Sequence, residues 1–193
     1  MQVNEGPIKP LLKRIGEIIS FFEEDRVVKS KANNNTIFYR YSSEYSPEVR
    51  QRIKIEINCR EHFNVLGWKL NDFDVKNEWF DGKAQIRTYQ IDELLGTKLR
   101  ALYQRNKGRD LFDLFYAGKL AEIDKEKLIV CYKRYMKFVV DKPPTSKQFL
   151  LNLETKLKKH DFIGDLEGLL RPEIEFDENI AFDWVKNEFI EKL

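Results

Sequence analysis

The chain has 193 residues, which is enough for one compact domain or for a small mixed domain with a helical extension. Hydrophobic residues make up 42% and charged residues 34% of it, as expected for a globular protein with a well-solvated surface. It contains no apolar run of about 18 residues that would span a membrane. The N-terminus lacks the basic start and apolar core of a signal peptide, so we expect a cytoplasmic location.

The charge balance excludes few classes of function, because 34 Lys and Arg residues are nearly matched by 32 Asp and Glu residues. A net charge of +2 is too small to indicate nucleic-acid binding by itself. Two distant cysteines, Cys59 and Cys131, favour a reducing compartment over a disulfide scaffold. No HExxH motif, Cys/His cluster or common glycine-rich phosphate loop is present, so neither a zinc site nor a Walker-type site is predicted.

The first half of the sequence predicts one helix and a small sheet. Apolar residues recur at helical spacing over residues 8–24. Residues 36–41 predict a strand. Residues 52–59 alternate strictly, with Ile53, Ile55 and Ile57 on one face, and predict a second strand that pairs antiparallel with the first. Residues 64–82 read as irregular, and residues 83–89 predict a third strand.

From residue 91 onward the pattern is helical. We predict helices at about 92–105, 109–119, 125–139, 146–160 and 178–191, with Thr145 or Ser146 capping the fourth. The fold class is therefore α+β, with a small sheet followed by a helical bundle. We expect two domains, residues 1–90 and 91–193.

Lys98 lies at the edge of an apolar helical stripe, four residues after Leu94 and four before Leu102. Its stem can cover the core while its amine reaches water. Alternatively, its amine binds a phosphate group, because a buried cation needs a partner. Arg105 follows two turns later on the same face, and by itself fits a surface arginine.

The next segment joins two predicted helices at Gly108. Asp110 can cap the second helix, and Asp113 can strengthen its first turn electrostatically. Asp110 and Asp113 can also face a site, with Arg109 beside them. The two roles of Asp110 are compatible, and the pattern leaves both open.

The residues from Glu93 to Leu114 resemble the signature of the AbiEii nucleotidyltransferases. That signature combines an acidic-Leu pair, a Lys-Leu, an Ala-Leu, an Arg and an Arg-Asp-Leu-aromatic-Asp-Leu run. Here these are Glu93-Leu94-Leu95, Lys98-Leu99, Ala101-Leu102, Arg105 and Arg109-Asp110-Leu111-Phe112-Asp113-Leu114. A strand similar to the family's Lys-Ile-Glu-Ile-Asn precedes them at residues 54–58. The resemblance covers residues 1 to about 120.

This resemblance implies a polymerase-β-like nucleotidyltransferase fold, here with a partial sheet of about three strands. It also implies NTP and Mg²⁺ as cofactors, since divalent ions neutralise a triphosphate. By resemblance Glu56 is a metal-binding carboxylate, and Glu56, Lys98 and Asp110 are catalytic. Lys98, Arg105 and Arg109 would contact phosphate. From its strand position alone, Glu56 could equally be an exposed glutamate paired with Lys54.

The sequence departs from the family at its start. The family opens with a Gly-Gly-Thr or Gly-Ser segment and then a strand with a DxD motif, and neither is found here. No Gly-Gly or Gly-Ser pair is present, and Asp72-Phe73-Asp74 follows the Glu56 strand instead of preceding it, so we interpret this DxD as coincidental. We therefore expect an N-terminally truncated chain that binds Mg²⁺ poorly and is inactive alone. An incomplete sheet would expose an edge, and we expect a homodimer or a docked partner there.

Three functions follow from this reading. The first is nucleotidyl transfer by a toxin of a toxin–antitoxin or phage-defence (abortive infection) system, with an antitoxin as partner and RNA or protein as acceptor. The alternative is a non-catalytic partner-binding or regulatory module derived from that fold. The third is a helical RNA-binding protein, which draws on Lys156, Lys158, Lys159 and Arg171. These basic residues alternate with acids and are typical of a solvated face.

Overall fold

A computed structural model of the chain describes residues 7–20, 26–31, 34–44, 48–61 and 63–193. The chain divides into two compact units, Met1–Phe63 and Asn64–Leu193. The α+β fold class, with helices toward the C-terminus, is confirmed. The predicted division into domains at residue 90 stays a prediction. Within the described ranges, no helix is both long enough and apolar enough to cross a membrane.

The first unit consists of one helix and a three-stranded antiparallel sheet. Helix α1 spans Ile8–Ile18, and the strands are β1 (Arg26–Lys31), β2 (Asn34–Ser42) and β3 (Arg50–Asn58), in the order β1–β2–β3. The antiparallel pairing of the two predicted strands is confirmed. Strand β1 was not predicted. The predicted continuation of α1 over residues 21–24 lies outside the described residues.

The core of this unit forms where α1 meets one face of the sheet. Leu12 of α1 and Ile37 and Tyr39 of β2 are buried. The alternating isoleucines of β3 pack against them, as the sequence pattern predicted, and these are Ile53, Ile55 and Ile57. The pleat therefore places Lys54 and Glu56 on the opposite face of β3, away from this core.

The second unit begins with a two-stranded antiparallel ribbon formed by β4 (Trp68–Lys76) and β5 (Asp81–Tyr89). The prediction of an irregular segment at 64–82 was wrong. Both faces of the ribbon are largely exposed, so β4 shows no apolar alternation that would have revealed it. Side chains bond across its two strands instead: Lys83 pairs with Asp74 at 2.6 Å, and Gln85 donates to Asp72 at 3.0 Å.

The helices follow the predicted order closely. They are α2 (Ile91–Gln104), α3 (Arg109–Leu120), α4 (Lys125–Val139), α5 (Ser146–Leu157), α6 (His160–Ile163) and α7 (Glu178–Glu188). Short 3₁₀ turns follow α6 at Gly164–Leu166 and α7 at Ile190–Lys192. Thr145 caps α5 through a capping box with Gln148, as predicted. The predicted helix 146–160 is interrupted before His160.

The entry to α2 is held by a buried carboxylate. Glu93 is fully buried and accepts hydrogen bonds from the backbone N–H groups of Val65 and Leu66 at 2.7 and 2.8 Å. The hydroxyl of Tyr135 on α4 also donates to it at 2.7 Å. Glu93 therefore fastens the loop before the ribbon to the α2–α4 pair. A buried carboxylate needs such donors, because without them its desolvation is costly.

Helix α2 and helix α4 approach closely at Gly96. A Cβ atom built there would lie 2.8 Å from the Leu128 carbonyl oxygen and 3.0 Å from the Tyr132 nitrogen, both backbone atoms that cannot rotate away. A helical glycine is normally destabilising by about 1 kcal/mol relative to alanine. Here the lack of a side chain permits the contact. The overpacking that an alanine side chain would cause therefore outweighs its gain in helix propensity.

We therefore expect Gly96→Ala to lower the free energy of unfolding by about 1–2 kcal/mol, against the direction of helix propensity. Urea unfolding followed by circular dichroism measures this. The control is Gly16→Ala in α1, where the three atoms nearest to an added Cβ belong to the guanidinium of Arg26, the end of a flexible side chain. A stabilised Gly96→Ala variant would contradict the close α2–α4 contact.

Candidate functional site

Four charged side chains meet where α2 ends and α3 begins. Arg105 donates to both oxygens of Asp110, from Nε at 3.1 Å and from a terminal nitrogen at 2.5 Å. The amine of Lys98 lies 3.8 Å from Asp110 and donates to Asp113 at 2.5 Å. Lys98, Arg105, Asp110 and Asp113 therefore form one network, which we call the Asp110 cluster.

The cluster is buried on one side and open on the other. The side chain of Asp110 is 0% exposed, whereas those of Lys98, Asp113 and Arg105 are 31%, 36% and 50% exposed. The two cations are thus drawn together over a buried negative charge while their outer surfaces remain accessible. Burial of Asp110 is tolerated because a two-point bond with Arg105 replaces its water.

The backbone between the helices produces this arrangement. Helix α2 ends at Gln104, and Arg105 adopts an extended conformation, with φ of −107° and ψ of 155°. Helix α3 starts after Gly108, where a Cβ atom would lie 2.2 Å from the Phe162 carbonyl oxygen. Glycine is needed at this position because another part of the backbone passes so close.

The predicted capping role of Asp110 was wrong. The N-cap residue of α3 is Gly108, which has no side chain that could cap the helix. Asp110 is the second residue of the helix, and its carboxylate accepts from Arg105 instead. A negative charge in the first turn still interacts favourably with the helix dipole. Both Asp110 and Asp113 contact Lys98, and their predicted site-facing role stays a prediction.

Arg109 has a different partner from the cluster. Its guanidinium lies 3.6 Å from Asp165, and its backbone N–H donates to the same carboxylate at 3.3 Å. Lys107 also pairs with Asp165 at 2.9 Å. Burial opposes ionisation of Asp165, but these cationic partners outweigh it and lower the pKa of the carboxyl below its ordinary value. The contact ties the α2–α3 loop to the turn after α6.

Glu56 belongs to the first unit, on the polar face of β3. Its carboxylate pairs with Lys54 at 2.8 Å, and both side chains are about half exposed, at 51% and 45%. Among the residues that the structure describes, no three His, Cys, Asp or Glu side chains are grouped to hold a metal ion. A Mg²⁺ ion prefers several oxygen ligands, so Glu56 alone does not form a metal site.

Sequence reasoning missed two polar anchors of this region, Asp165 and Lys156. Asp165 lies in the short 3₁₀ turn that follows α6, and nothing in its neighbourhood marked it. Lys156 was assigned to a solvated basic face, and this was wrong, because the residue is only 6% exposed. The available signal was spacing: Lys156 continues the buried stripe of Phe149 and Leu153 on α5.

The comparison with protein-family models decides which family the chain belongs to. The family model described as "Nucleotidyl transferase AbiEii toxin, Type IV TA system" matches residues 5–188. The chain belongs to the AbiEii family. The match extends well beyond the 120 residues over which the resemblance was recognised, and it includes the C-terminal helices of this AbiEii protein. Neither the curated proteins nor the solved structures give a match.

The Arg105–Asp110 pair makes a testable energetic prediction for this AbiEii protein. We expect Arg105→Ala to lower the free energy of unfolding by about 3 kcal/mol, because it leaves a buried carboxylate without its main donor. Asp110→Asn should cost less, and the double variant should show a coupling of at least about 1.5 kcal/mol. Urea unfolding of the two single variants and the double variant measures the coupling. Strictly additive effects would mean that the pair is not energetically linked.

Proposed function

We propose that this chain is a nucleotidyltransferase toxin whose phosphate-binding group is the Asp110 cluster. The observation that carries the proposal is the buried Asp110 carboxylate, which holds Lys98 and Arg105 together with their outer surfaces accessible. Membership of the AbiEii family supports the reaction class. A lysine and an arginine in this arrangement suit a triphosphate, because guanidinium and ammonium groups both bind phosphate oxygens.

The reaction transfers a nucleoside monophosphate group to an acceptor. An acceptor hydroxyl oxygen forms a bond with the α-phosphorus of the NTP while the bond to the bridging oxygen breaks. Pyrophosphate leaves, and the hydroxyl proton passes to water. Catalysis of such transfers is mostly positioning and electrostatic stabilisation, and Lys98 and Arg105 would supply both at the phosphate oxygens.

Asp110 acts in this proposal through the two cations. Both of its oxygens accept hydrogen bonds from Arg105, and its side chain has no exposed surface. A general base must reach the proton that it removes, and Asp110 lacks that access. Its role is therefore to orient Lys98 and Arg105 and to keep them close despite their mutual repulsion.

The remaining parts of the proposal rest on the family. Glu56 would be a metal ligand by family resemblance, and Mg²⁺ would neutralise the triphosphate when bound. Arg109 would support phosphate binding from the α2–α3 loop. An antitoxin would be the partner, and RNA or protein the nucleotide acceptor. Self-association through an outer strand of the first sheet, β1 or β3, stays a prediction.

Replacement of Lys98 tests the phosphate-binding role. We expect Lys98→Met to weaken NTP binding about tenfold or more, because a charge-assisted bond to phosphate is lost, and Lys98→Arg to retain part of the affinity. Titration calorimetry with each NTP in the presence of Mg²⁺ measures binding. Transfer of label from α-³²P NTP to cellular RNA or protein measures the reaction.

The matched control is Lys133→Met, which removes an exposed lysine from α4. Equal affinities for the Lys98→Met and Lys133→Met variants would overturn the assigned role of Lys98. If the unaltered chain neither binds nor transfers any NTP, but captures a protein encoded beside its gene, the non-catalytic partner-binding module would be the better description.

The ion pair between Lys98 and Asp113 predicts an effect of opposite sign. A phosphate group would compete with Asp113 for the Lys98 amine, since the two groups lie 2.5 Å apart. We therefore expect Asp113→Asn to strengthen NTP binding about threefold, the magnitude of a partly exposed ion pair. Asp183→Asn, on the exposed face of α7, is the control. Weaker binding by Asp113→Asn would mean that Asp113 itself contacts the nucleotide or its metal ion.

A further inference from the structure

Lys156 is a buried cation in the C-terminal part of the chain, outside the Asp110 cluster. Phe149, Leu153 and Lys156 follow one another along the core-facing stripe of α5, and the two apolar residues are fully buried. Lys156 itself is only 6% exposed. Lysine is rarely buried to this degree without specific partners, because the loss of water around its ammonium group is costly.

The partners of Lys156 are the last carbonyl groups of α2. Its amine donates to the carbonyl oxygen of Leu102 at 2.5 Å and to that of Tyr103 at 2.6 Å. The final carbonyls of a helix have no partner within the helix, and the helix dipole makes its C-terminus negative. Lys156 therefore caps α2 from another helix, and the Tyr103 ring centroid lies 6.0 Å from its amine.

The capped end of α2 leads directly into the cluster. Arg105 follows Tyr103 by two residues, donates its backbone N–H to Ala101 at 2.7 Å, and leaves the helix in an extended conformation. Its guanidinium then reaches back to Asp110. The direction of the Arg105 side chain thus depends on where α2 stops, and Lys156 holds the carbonyls at that position.

The charge state of Lys156 fits this role. Burial, with a contribution from Lys159, lowers the pKa of Lys156 to about 8, and the nearby Asp110 opposes the shift. Near neutral pH the amine is mostly protonated and keeps three donors. Its positive charge also lies close enough to Asp110 to interact with that carboxylate.

We propose that Lys156 is a positioning residue for the nucleotide site. It touches no substrate. It acts by fixing the C-terminus of α2, which sets the direction of Arg105 and so the alignment of Arg105 with Lys98 over Asp110. The functional half of this inference rests on the proposed function, whereas the structural half, the link from Lys156 to Arg105, stands by itself.

Hydrogen exchange in the full chain tests the structural half. Lys156→Met keeps the length and apolar stem of the side chain but removes the donors to Leu102 and Tyr103. We expect backbone amides of residues 104–110 to exchange about tenfold faster in this variant, because local opening of the helix end becomes easier. Lys156→Arg should restore slow exchange, since a guanidinium can donate to two carbonyls. Lys158→Met, which alters an exposed lysine at the end of α5, should leave exchange unchanged.

Nucleotide kinetics test the functional half with the same variants. We expect Lys156→Met to raise the KM for NTP about tenfold with a smaller change in kcat, and Lys156→Arg to recover most of that loss. Urea unfolding midpoints establish whether each variant is folded under assay conditions. The inference is overturned if Lys156→Met leaves the exchange of residues 104–110 unchanged. It is also overturned if exchange becomes faster in that variant while the KM for NTP stays unchanged. If the unaltered chain does not bind NTP, the proposed function fails, and exchange alone decides whether Lys156 positions Arg105.

Discussion

The burial of one carboxylate, that of Asp110, organises the most informative region of this chain. A carboxylate removed from water is stable only when cations and hydrogen-bond donors replace its hydration. Arg105 supplies the two-point bond and Lys98 a second charge. The two cations would otherwise repel each other, so Asp110 is the reason why they can lie side by side. The same arrangement leaves their outer surfaces available to an anion.

Buried charges recur at the ends of the helices of the second unit. Glu93 binds the loop that leads into α2, and Lys156 binds the carbonyls at its other end. Helix α2 is therefore fastened at both termini by side chains that are themselves buried. Breaking such a pair leaves an unmatched buried charge, so each contact defines one position strongly. That rigidity suits a helix that carries Lys98 and leads into Arg105.

Family membership and site geometry support different parts of the functional conclusion. The match over residues 5–188 establishes the AbiEii family and with it the reaction class to be tested. The geometry adds what the family name does not specify: Asp110 is enclosed, Lys98 forms an ion pair with Asp113, and Arg109 forms an ion pair with Asp165.

The sequence by itself determined the class of fold, the antiparallel pairing of β2 and β3, the order of the main helices and the membership of Lys98, Arg105 and Asp110 in one motif. The fold class, the strand pairing and the helix order follow from local periodicity in the sequence. The motif follows from residues whose fixed spacing resembles the AbiEii signature. The ribbon strand β4 escaped prediction because both of its faces are exposed and no core selects its residues.

Only the tertiary structure decided which groups the charged residues bind. A helical aspartate at position 110 has the same local pattern whether it caps α3 or binds Arg105, and Lys156 has the same pattern whether it is solvated or buried. Asp165 lies 55 residues after Asp110 in the sequence, yet it binds Lys107 and Arg109, which lie just before Asp110. Electrostatic partners are chosen by proximity in space and by the loss of water there, and neither quantity can be read from spacing along a chain.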